Sequence, residues 1–198
     1  SGLGGLTAVR ELQKRLPAED IIYFGDTGRV PYGNRSAATL REYAAQDCRF
    51  LLKQDVKYII AACGTVSSTA GDVLSALPVP ATGVVAPTAA AAARATKNGR
   101  IGVIATAATI GSGAFERALL PLGDLAVFPK ACPLFVPLVE AGMIAPSEEA
   151  TRLIVRRYLL PLKAEGIDTL ILGCTHFPLL APLIDEVMEG TAALIDAG

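Results

Sequence analysis

The chain has 198 residues, of which 52% are hydrophobic and 19% charged, so it can form one domain or two small ones around a real core. This composition excludes a disordered chain. Its 18 basic and 19 acidic residues give a net charge of −1 with no basic block, which argues against nucleic acid or an anionic membrane as a partner.

Hydrophobic spacing and Gly/Pro punctuation predict helices and strands that alternate along the chain. The first half is predicted to hold a helix over 6–16, a strand over 20–24, a loop over 26–33, a helix over 36–54, a strand over 58–62 and a helix over 67–78. The second half is predicted to hold a strand over 101–105, helices over 111–120 and 146–162, a strand over 169–172 and a helix over 182–188. Apolar strands that alternate with helices are typical of a parallel sheet covered on both faces.

No segment predicts insertion into a membrane or export. The longest uncharged stretch, from Val73 to Ala93, is interrupted by proline and glycine and cannot form one membrane-spanning helix. No basic segment followed by an apolar one opens the chain, so we predict a cytoplasmic location. The opening Ser1–Gly5 resembles a glycine turn that follows a buried strand, and we expect the natural N-terminus to lie upstream.

Two parts of the chain resemble each other. Residues 52–63 and 162–174 both contain a helix end, a polar turn, an apolar strand and then a cysteine. We therefore predict an α/β fold of two similar lobes, each a mostly parallel sheet flanked by helices, related by pseudo-two-fold symmetry around a central cleft. The first lobe is predicted to span 1–96 and the second 97–198.

The two cysteines of this repeat, Cys63 and Cys174, are the leading candidates for chemistry. Both lie where an apolar strand ends and a helix follows, which is where open α/β sheets bind ligands. The start of a helix lowers the pKa of a thiol and favours the reactive thiolate. Burial as structural cysteines is the alternative, but the matched pair favours reactivity. Cys48 and Cys132 lack this context, and we assign both to packing.

Two further residues could assist these thiols. His176, the only histidine, follows Cys174 by two residues and can assist a proton transfer, although a lone histidine is often an ordinary polar residue. Glu140 ends an apolar run and is either a solvated helix end or a partly desolvated acid of raised pKa. No cysteine or histidine spacing typical of zinc is present, so we predict no metal site.

Several motifs, in order along the chain, resemble those of the glutamate racemases of the aspartate/glutamate racemase superfamily. They are Ser1-Gly2-Leu3-Gly4-Gly5-Leu6-Thr7, Gly25-Asp26 with Pro31-Tyr32-Gly33, Ala62-Cys63-Gly64-Thr65, Cys132–Glu140 and Leu172–Leu180. The resemblance implies a cofactor-independent enzyme that makes D-glutamate for peptidoglycan, with glutamate as its small-molecule substrate, and it leaves a homodimer open. Inverting a carbon requires acid/base groups on both faces, and cysteines from two lobes meet that need.

The resemblance also implies roles for individual residues. Cys63 and Cys174 fall on the two bases, with Glu140 and His176 as auxiliary catalytic groups. The substrate-binding positions are Ser1, Tyr32, Gly33, Gly64, Thr65, Thr175 and His176. Gly64 departs from the family, which ordinarily has Asn there, and the Asp that ordinarily precedes Ser1 is not in the sequence. The chain also stops where the family continues with elements that return to the first lobe.

Other functions remain open at this stage. An aspartate racemase or a one-cysteine decarboxylase would share the fold, although a second cysteine argues against the decarboxylase. A catalytically silent protein could use the same cleft to bind an amino acid or a partner protein. A thiol-disulfide oxidoreductase is disfavoured, because a substrate held between the two cysteines keeps them too far apart to bond.

Overall fold

The computed structural model describes residues 2–197 as helices packed on two parallel sheets. The smaller sheet pairs β1 (Ile59–Ala61) with β2 (Ala81–Gly83). The larger sheet holds β3 (Arg100–Ala105), β4 (Ala126–Ala131), β5 (Thr169–Leu172) and β6 (Ala193–Asp196) in the order β4-β3-β5-β6. All pairings in both sheets are parallel, which confirms the predicted α/β class.

Within residues 2–96 the chain forms five helices, and the last of them packs against strands of the larger sheet. The five helices are α1 (Gly5–Arg15), α2 (Ala37–Leu52), α3 (Gly64–Thr69), α4 (Gly71–Ser75) and α5 (Val85–Ala95). The long helix α2 begins where the sequence predicts, because the Ser36 hydroxyl accepts a hydrogen bond of 3.2 Å from the Thr39 amide and so caps the first turn. The predicted helix over 67–78 begins earlier, at Gly64, and is divided at Ala70 into α3 and α4.

The predicted strand over 20–24 is wrong. The segment carries no strand hydrogen bonds, and its apolar side chains line a cavity opposite β1. Among residues 2–197, β1 pairs with β2 alone, so no neighbouring ladder is available to the segment. The segment is also not buried, because Ile22 is 50% exposed and Tyr23 is 40% exposed.

The second half packs helices on both faces of the larger sheet. These are α6 (Ala107–Gly111), α7 (Ala114–Leu119), α8 (Phe135–Glu140), α9 (Glu149–Ala164) and α10 (Ala181–Met188), with short 3₁₀ turns at Leu120–Leu122 and Phe177–Leu180. The predicted helix over 111–120 is interrupted at Gly113, whose φ of +63° is left-handed and readily adopted only by glycine. The division of the chain at residue 96 stays a prediction.

Candidate active site

A small cavity of about 60 Å³ lies between residues of the two halves. The strand ends supply its cysteines and hydroxyls, the loop over 30–34 forms one wall, and α8 forms another. Its lining includes Cys63, Thr65, Thr106, Cys174, Thr175, His176 and Glu140. The cavity therefore collects most of the residues on which the sequence predicts chemistry.

The two cysteines reach this cavity from equivalent places. Each is the second residue after its strand, Cys63 after β1 and Cys174 after β5. Both side chains are buried and neither is in a disulfide. Next to them the backbones of Gly64 and Gly173 approach closely, since a Cβ on Gly64 would lie 2.1 Å from the carbonyl oxygen of Gly173. Glycine at position 64 thus permits a backbone-to-backbone approach that any other residue would obstruct.

The environment of Cys174 reverses one expectation from the sequence. Burial raises the pKa of the Cys174 thiol to about 12, and the backbone N–H of His176 offsets only part of that effect. The nearby Cys63 raises the pKa further. The predicted lowering by a following helix is therefore wrong for Cys174, because burial outweighs it and favours the protonated thiol.

His176 connects Cys174 to Glu140. Its Nδ1 lies 3.8 Å from the Cys174 sulfur, and its Nε2 lies 3.2 Å from Glu140 Oε1. Burial lowers the pKa of His176, while the Glu140 carboxylate opposes that shift. A neutral ring that donates from Nε2 to Glu140 leaves Nδ1 free to accept the thiol proton. The Glu140 side chain remains 40% exposed, at the end of α8.

The loop residues Tyr32 and Gly33 line the cavity, but the Tyr32 hydroxyl is engaged within the protein. It donates to Asp26 and lies 3.2 Å from Asp47, so it is not available as a donor to a substrate. Burial, together with these carboxylates, raises the pKa of Tyr32. Gly33 approaches the second half closely, because its carbonyl accepts a hydrogen bond of 3.2 Å from the Ala108 amide.

Hydroxyl groups form a buried cluster beside the cysteines. The Thr65 and Thr106 hydroxyls are 3.0 Å apart, and Thr106 is also 3.0 Å from Thr109. Thr175 is buried at the opposite strand end, next to the first helix, where a Cβ on Gly4 would lie 2.4 Å from its hydroxyl oxygen. These groups are donors suited to a carboxylate.

Thr106 and Asn34 also line the cavity, although neither is among the predicted site residues. Thr106 directly follows β3, the same strand-end position that singled out the cysteines, so this signal was present in the sequence. Asn34 follows the loop glycine and had no comparable signal. Of the predicted binding residues, Gly64 lies beside Cys63 without lining the cavity, and Ser1 lies outside the described residues.

A larger cavity of about 970 Å³ lies within the first half. Helices α1 and α2, strand β1 and the segment over 18–24 surround it, and most of its lining is apolar. It reaches Cys63 but not Cys174, so a molecule within it would contact only one of the two thiols. The smaller cavity is therefore the candidate active site.

Neither a metal site nor a membrane span is found in the described part of the chain. Across residues 2–197, no three histidine, cysteine or acidic side chains are grouped so as to hold a metal ion. No helix within the same residues has both the length and the apolar character needed to cross a membrane.

The fold and the site together define a class of protein. A parallel α/β chain that brings two strand-end thiols and a histidine into one cavity is organised for proton transfer at two faces of a small molecule, as in an isomerase that inverts a carbon centre. The family model described as Asp/Glu/Hydantoin racemase matches residues 7–198. The chain belongs to this family and is a racemase.

Individual relatives agree with this assignment. The chain is 50% identical to the glutamate racemase of Chlorobaculum tepidum, over all of this chain and 73% of that protein. It matches the crystal structure of Francisella tularensis glutamate racemase in complex with D-glutamate with a TM-score of 0.92 at 39% identity, over all of this chain and 73% of the other. The aspartate racemase of Picrophilus torridus matches over 99% of this chain and 86% of its own, with a TM-score of 0.67 at 14% identity, which shows a shared fold alone.

Proposed function

We propose that this racemase interconverts L- and D-glutamate by moving the Cα proton between two thiols, and so supplies D-glutamate for peptidoglycan. One observation carries the proposal: Cys63 and Cys174 come from the two halves of the chain, line one cavity and are not joined in a disulfide. The similarity to glutamate racemases supports glutamate as the substrate.

The reaction needs one thiolate and one thiol at the start. The thiolate removes the Cα proton from one face, and the electron pair left on Cα is delocalised into the neighbouring carboxylate. The thiol on the other face then donates its proton to Cα. The product has the opposite configuration, and the two sulfurs have exchanged protonation states.

Because its pKa is raised, the Cys174 thiol is suited to donate a proton to Cα in one direction of the racemisation. In the other direction Cys174 must act as the base, so its proton has to leave first. His176 Nδ1, 3.8 Å away, is the acceptor for that proton, and Glu140 stabilises the resulting imidazolium through its contact of 3.2 Å. The Glu140–His176 pair therefore sets the protonation state of Cys174.

Polar groups of the cavity would hold the charged substrate. None of the described residues that line it is lysine or arginine, so hydroxyls and backbone amides must satisfy the substrate carboxylates. Thr65, Thr106 and Thr175 provide the hydroxyls. Ser1, Tyr32, Gly33 and Gly64 are carried over from the resemblance as further binding positions, with Tyr32 acting through its backbone.

The location, the oligomeric state and the exact substrate of this racemase are proposed here as well. The cytoplasmic location and the homodimer are predictions from the sequence and the resemblance. An aspartate racemase is the alternative activity, and the shared fold does not decide between the two substrates.

The test is racemisation of L-glutamate in D₂O, followed by circular dichroism and by NMR detection of deuterium at Cα. We expect D-glutamate to form with deuterium incorporated, and Cys63→Ser and Cys174→Ser each to abolish racemisation. Cys48→Ala is the matched control, because Cys48 is also a buried free cysteine but packs with Ile59 and Leu74 away from the cavity. Parallel incubation with L-aspartate separates the two substrates.

Two outcomes would contradict the proposal. Faster racemisation of aspartate than of glutamate would assign the other substrate. Binding of glutamate without deuterium uptake at Cα would identify a silent binding protein.

A further inference from the structure

The loop that forms one wall of the cavity is held by a charged cluster that the proposed reaction does not use. The cluster consists of Asp26 and Arg29 in the loop and Tyr43, Gln46 and Asp47 on α2. None of its charged side chains is more than 29% exposed. Surface loops rarely bury charges, because removing a guanidinium or a carboxylate from water costs free energy. The partial burial of these three charges therefore suggests that they have a structural role.

Arg29 is the centre of the cluster. Its Nε lies 2.6 Å from Asp26, and its Nη2 lies 2.7 Å from Asp47. Its other terminal nitrogen donates to Gln46 at 2.5 Å, and the guanidinium stacks over the Tyr43 ring at 4.2 Å. Only arginine can make this planar set of contacts at once, since lysine has a single ammonium group.

The same carboxylates also hold Tyr32, whose hydroxyl donates to Asp26 and lies 3.2 Å from Asp47. Tyr32 precedes Gly33, and Gly33 is bonded to the Ala108 amide of the second half. The loop is therefore fixed to α2 on one side and to α6 on the other. Between these two attachments lies the cavity wall over residues 30–34.

We infer that Arg29 and Asp47 are positioning residues, which hold the loop wall in its substrate-binding shape without contacting the substrate. The inference rests on the proposed function. Neither residue lines the reaction cavity, and each acts through Asp26 and Tyr32. A loop fixed before binding loses little conformational freedom when the substrate arrives, so the cluster lowers the entropic cost of binding.

The main test compares Asp47→Asn on α2 with a matched control, Asp72→Asn on α4, whose ion-pair partner also lies on α2. Asp47→Asn keeps the size of the side chain and removes the charge that faces Arg29. Asp72→Asn removes the charge from an exposed ion pair with Arg41, and neither residue belongs to the cluster around Arg29. If the loop contacts substrate and transition state alike, Asp47→Asn raises KM about tenfold and leaves kcat nearly unchanged, while Asp72→Asn alters neither.

Hydrogen exchange provides a second measurement that needs no substrate. Amides over residues 26–35 should exchange faster in Asp47→Asn than in the unmodified protein, with no change in Asp72→Asn. Arg29→Lys keeps the positive charge but cannot make the guanidinium contacts to Asp26, Gln46 and Asp47 at once. It should show the same faster exchange. It also serves as the second variant if Asp47→Asn does not fold.

Unchanged exchange over 26–35 in both loop variants would overturn the inference. A fall in kcat with KM unchanged would also overturn it, by assigning the cluster to chemistry. If the unmodified protein failed to racemise glutamate, the proposed function would fail, while exchange would still decide whether the cluster holds the loop.

Discussion

Cys63 and Cys174 occupy matching places in the chain, yet their supports differ. Cys174 follows β5, whose four residues are all buried and which lies between β3 and β6. Cys63 follows the three-residue β1, which borders the large cavity and, within residues 2–197, pairs with β2 alone. The strand that carries Cys174 is thus more deeply buried, and has more strand neighbours, than the strand that carries Cys63.

The distribution of the core explains this difference. Of the twelve largest fully buried side chains in the described residues, Leu40 alone belongs to the first half. Each such side chain contributes about 1.5–3 kcal/mol when it leaves water. The repeated sequence pattern sets where a cysteine lies, whereas the packing around it sets how firmly that cysteine is held and how it ionises.

The sharpest test of the comparison removes each thiol in turn. Cys63→Ser and Cys174→Ser should each reduce racemisation about 10⁴-fold, because a hydroxyl cannot replace a thiolate as the base at neutral pH. With an analogue that loses a leaving group from Cβ once the Cα proton is gone, each variant should still act on one enantiomer. Measuring elimination from both enantiomers checks this, and equal loss of both in each variant would refute the two-base assignment.

Removing His176 should have the next largest effect and should act on the Cys174 side only. We expect His176→Asn to lower kcat/KM about 10²-fold. The two enantiomers have equal free energies, so kcat/KM must fall equally in both directions. The asymmetry should instead appear in the isotope effect with Cα-deuterated substrates, which should change for one enantiomer. Equal isotope effects for both enantiomers would show that His176 does not act on Cys174.

The pH profile offers a check on the same pair. Burial lowers the pKa of His176, so the limb of kcat/KM that requires its neutral form should lie below about pH 6.5, its ordinary value. Glu140→Gln removes the carboxylate that opposes this shift, and the limb should move to still lower pH. A shift to higher pH would contradict the contact between His176 and Glu140.

Much of this site could be predicted from the sequence because strand ends leave a clear pattern. Apolar runs that stop at Cys63 and Cys174 mark the ends of β1 and β5, and open parallel sheets bind ligands just beyond the carboxyl ends of their strands. The resemblance implied that His176 and Glu140 both lie near the thiols, but their contact was not predicted, since 36 residues separate the two in the chain.

Other features depend on tertiary packing and had no local signal. The pKa of Cys174 is raised because the folded protein removes its thiol from water, whereas helix position alone predicted a lowering. The segment over 20–24 has a strand-like composition, but a strand needs a neighbour to supply hydrogen bonds. The role of Arg29 could not be predicted from the sequence, because it depends on the loop folding onto α2.

The junction between the two halves can be tested at Gly64. A Cβ at this position would meet the Gly173 carbonyl at 2.1 Å, and a backbone oxygen cannot move aside cheaply. Gly64→Ala should therefore cost about 1–3 kcal/mol of unfolding free energy and lower kcat/KM. Gly64→Asn, which restores the family residue, should do no better, and a tenfold rise in kcat/KM would show instead that its amide was simply missing.

Gly71→Ala is the matched control for Gly64, because no atom lies within 4 Å of a Cβ at that position. It should leave kcat/KM unchanged and stabilise the chain by about 0.4–1 kcal/mol, through lower entropy of the unfolded state. Thermal unfolding of the three variants side by side measures these differences.

The smallest effect is expected at Asp168, which fixes the turn between the halves. Its carboxylate accepts hydrogen bonds from the Thr96 hydroxyl and from the amides of Lys97 and Asn98. Burial alone would raise the pKa of Asp168, but these hydrogen bonds outweigh it, and the pKa is lowered. A lowered pKa adds stability above the unfolded value of about 3.9, and that stability is lost as pH falls through the folded value. Asp168→Asn should therefore reduce Tm slightly at neutral pH and converge with the unmodified protein in acid. Equal differences in Tm at pH 7 and pH 3 would show that the carboxylate charge does not stabilise this turn.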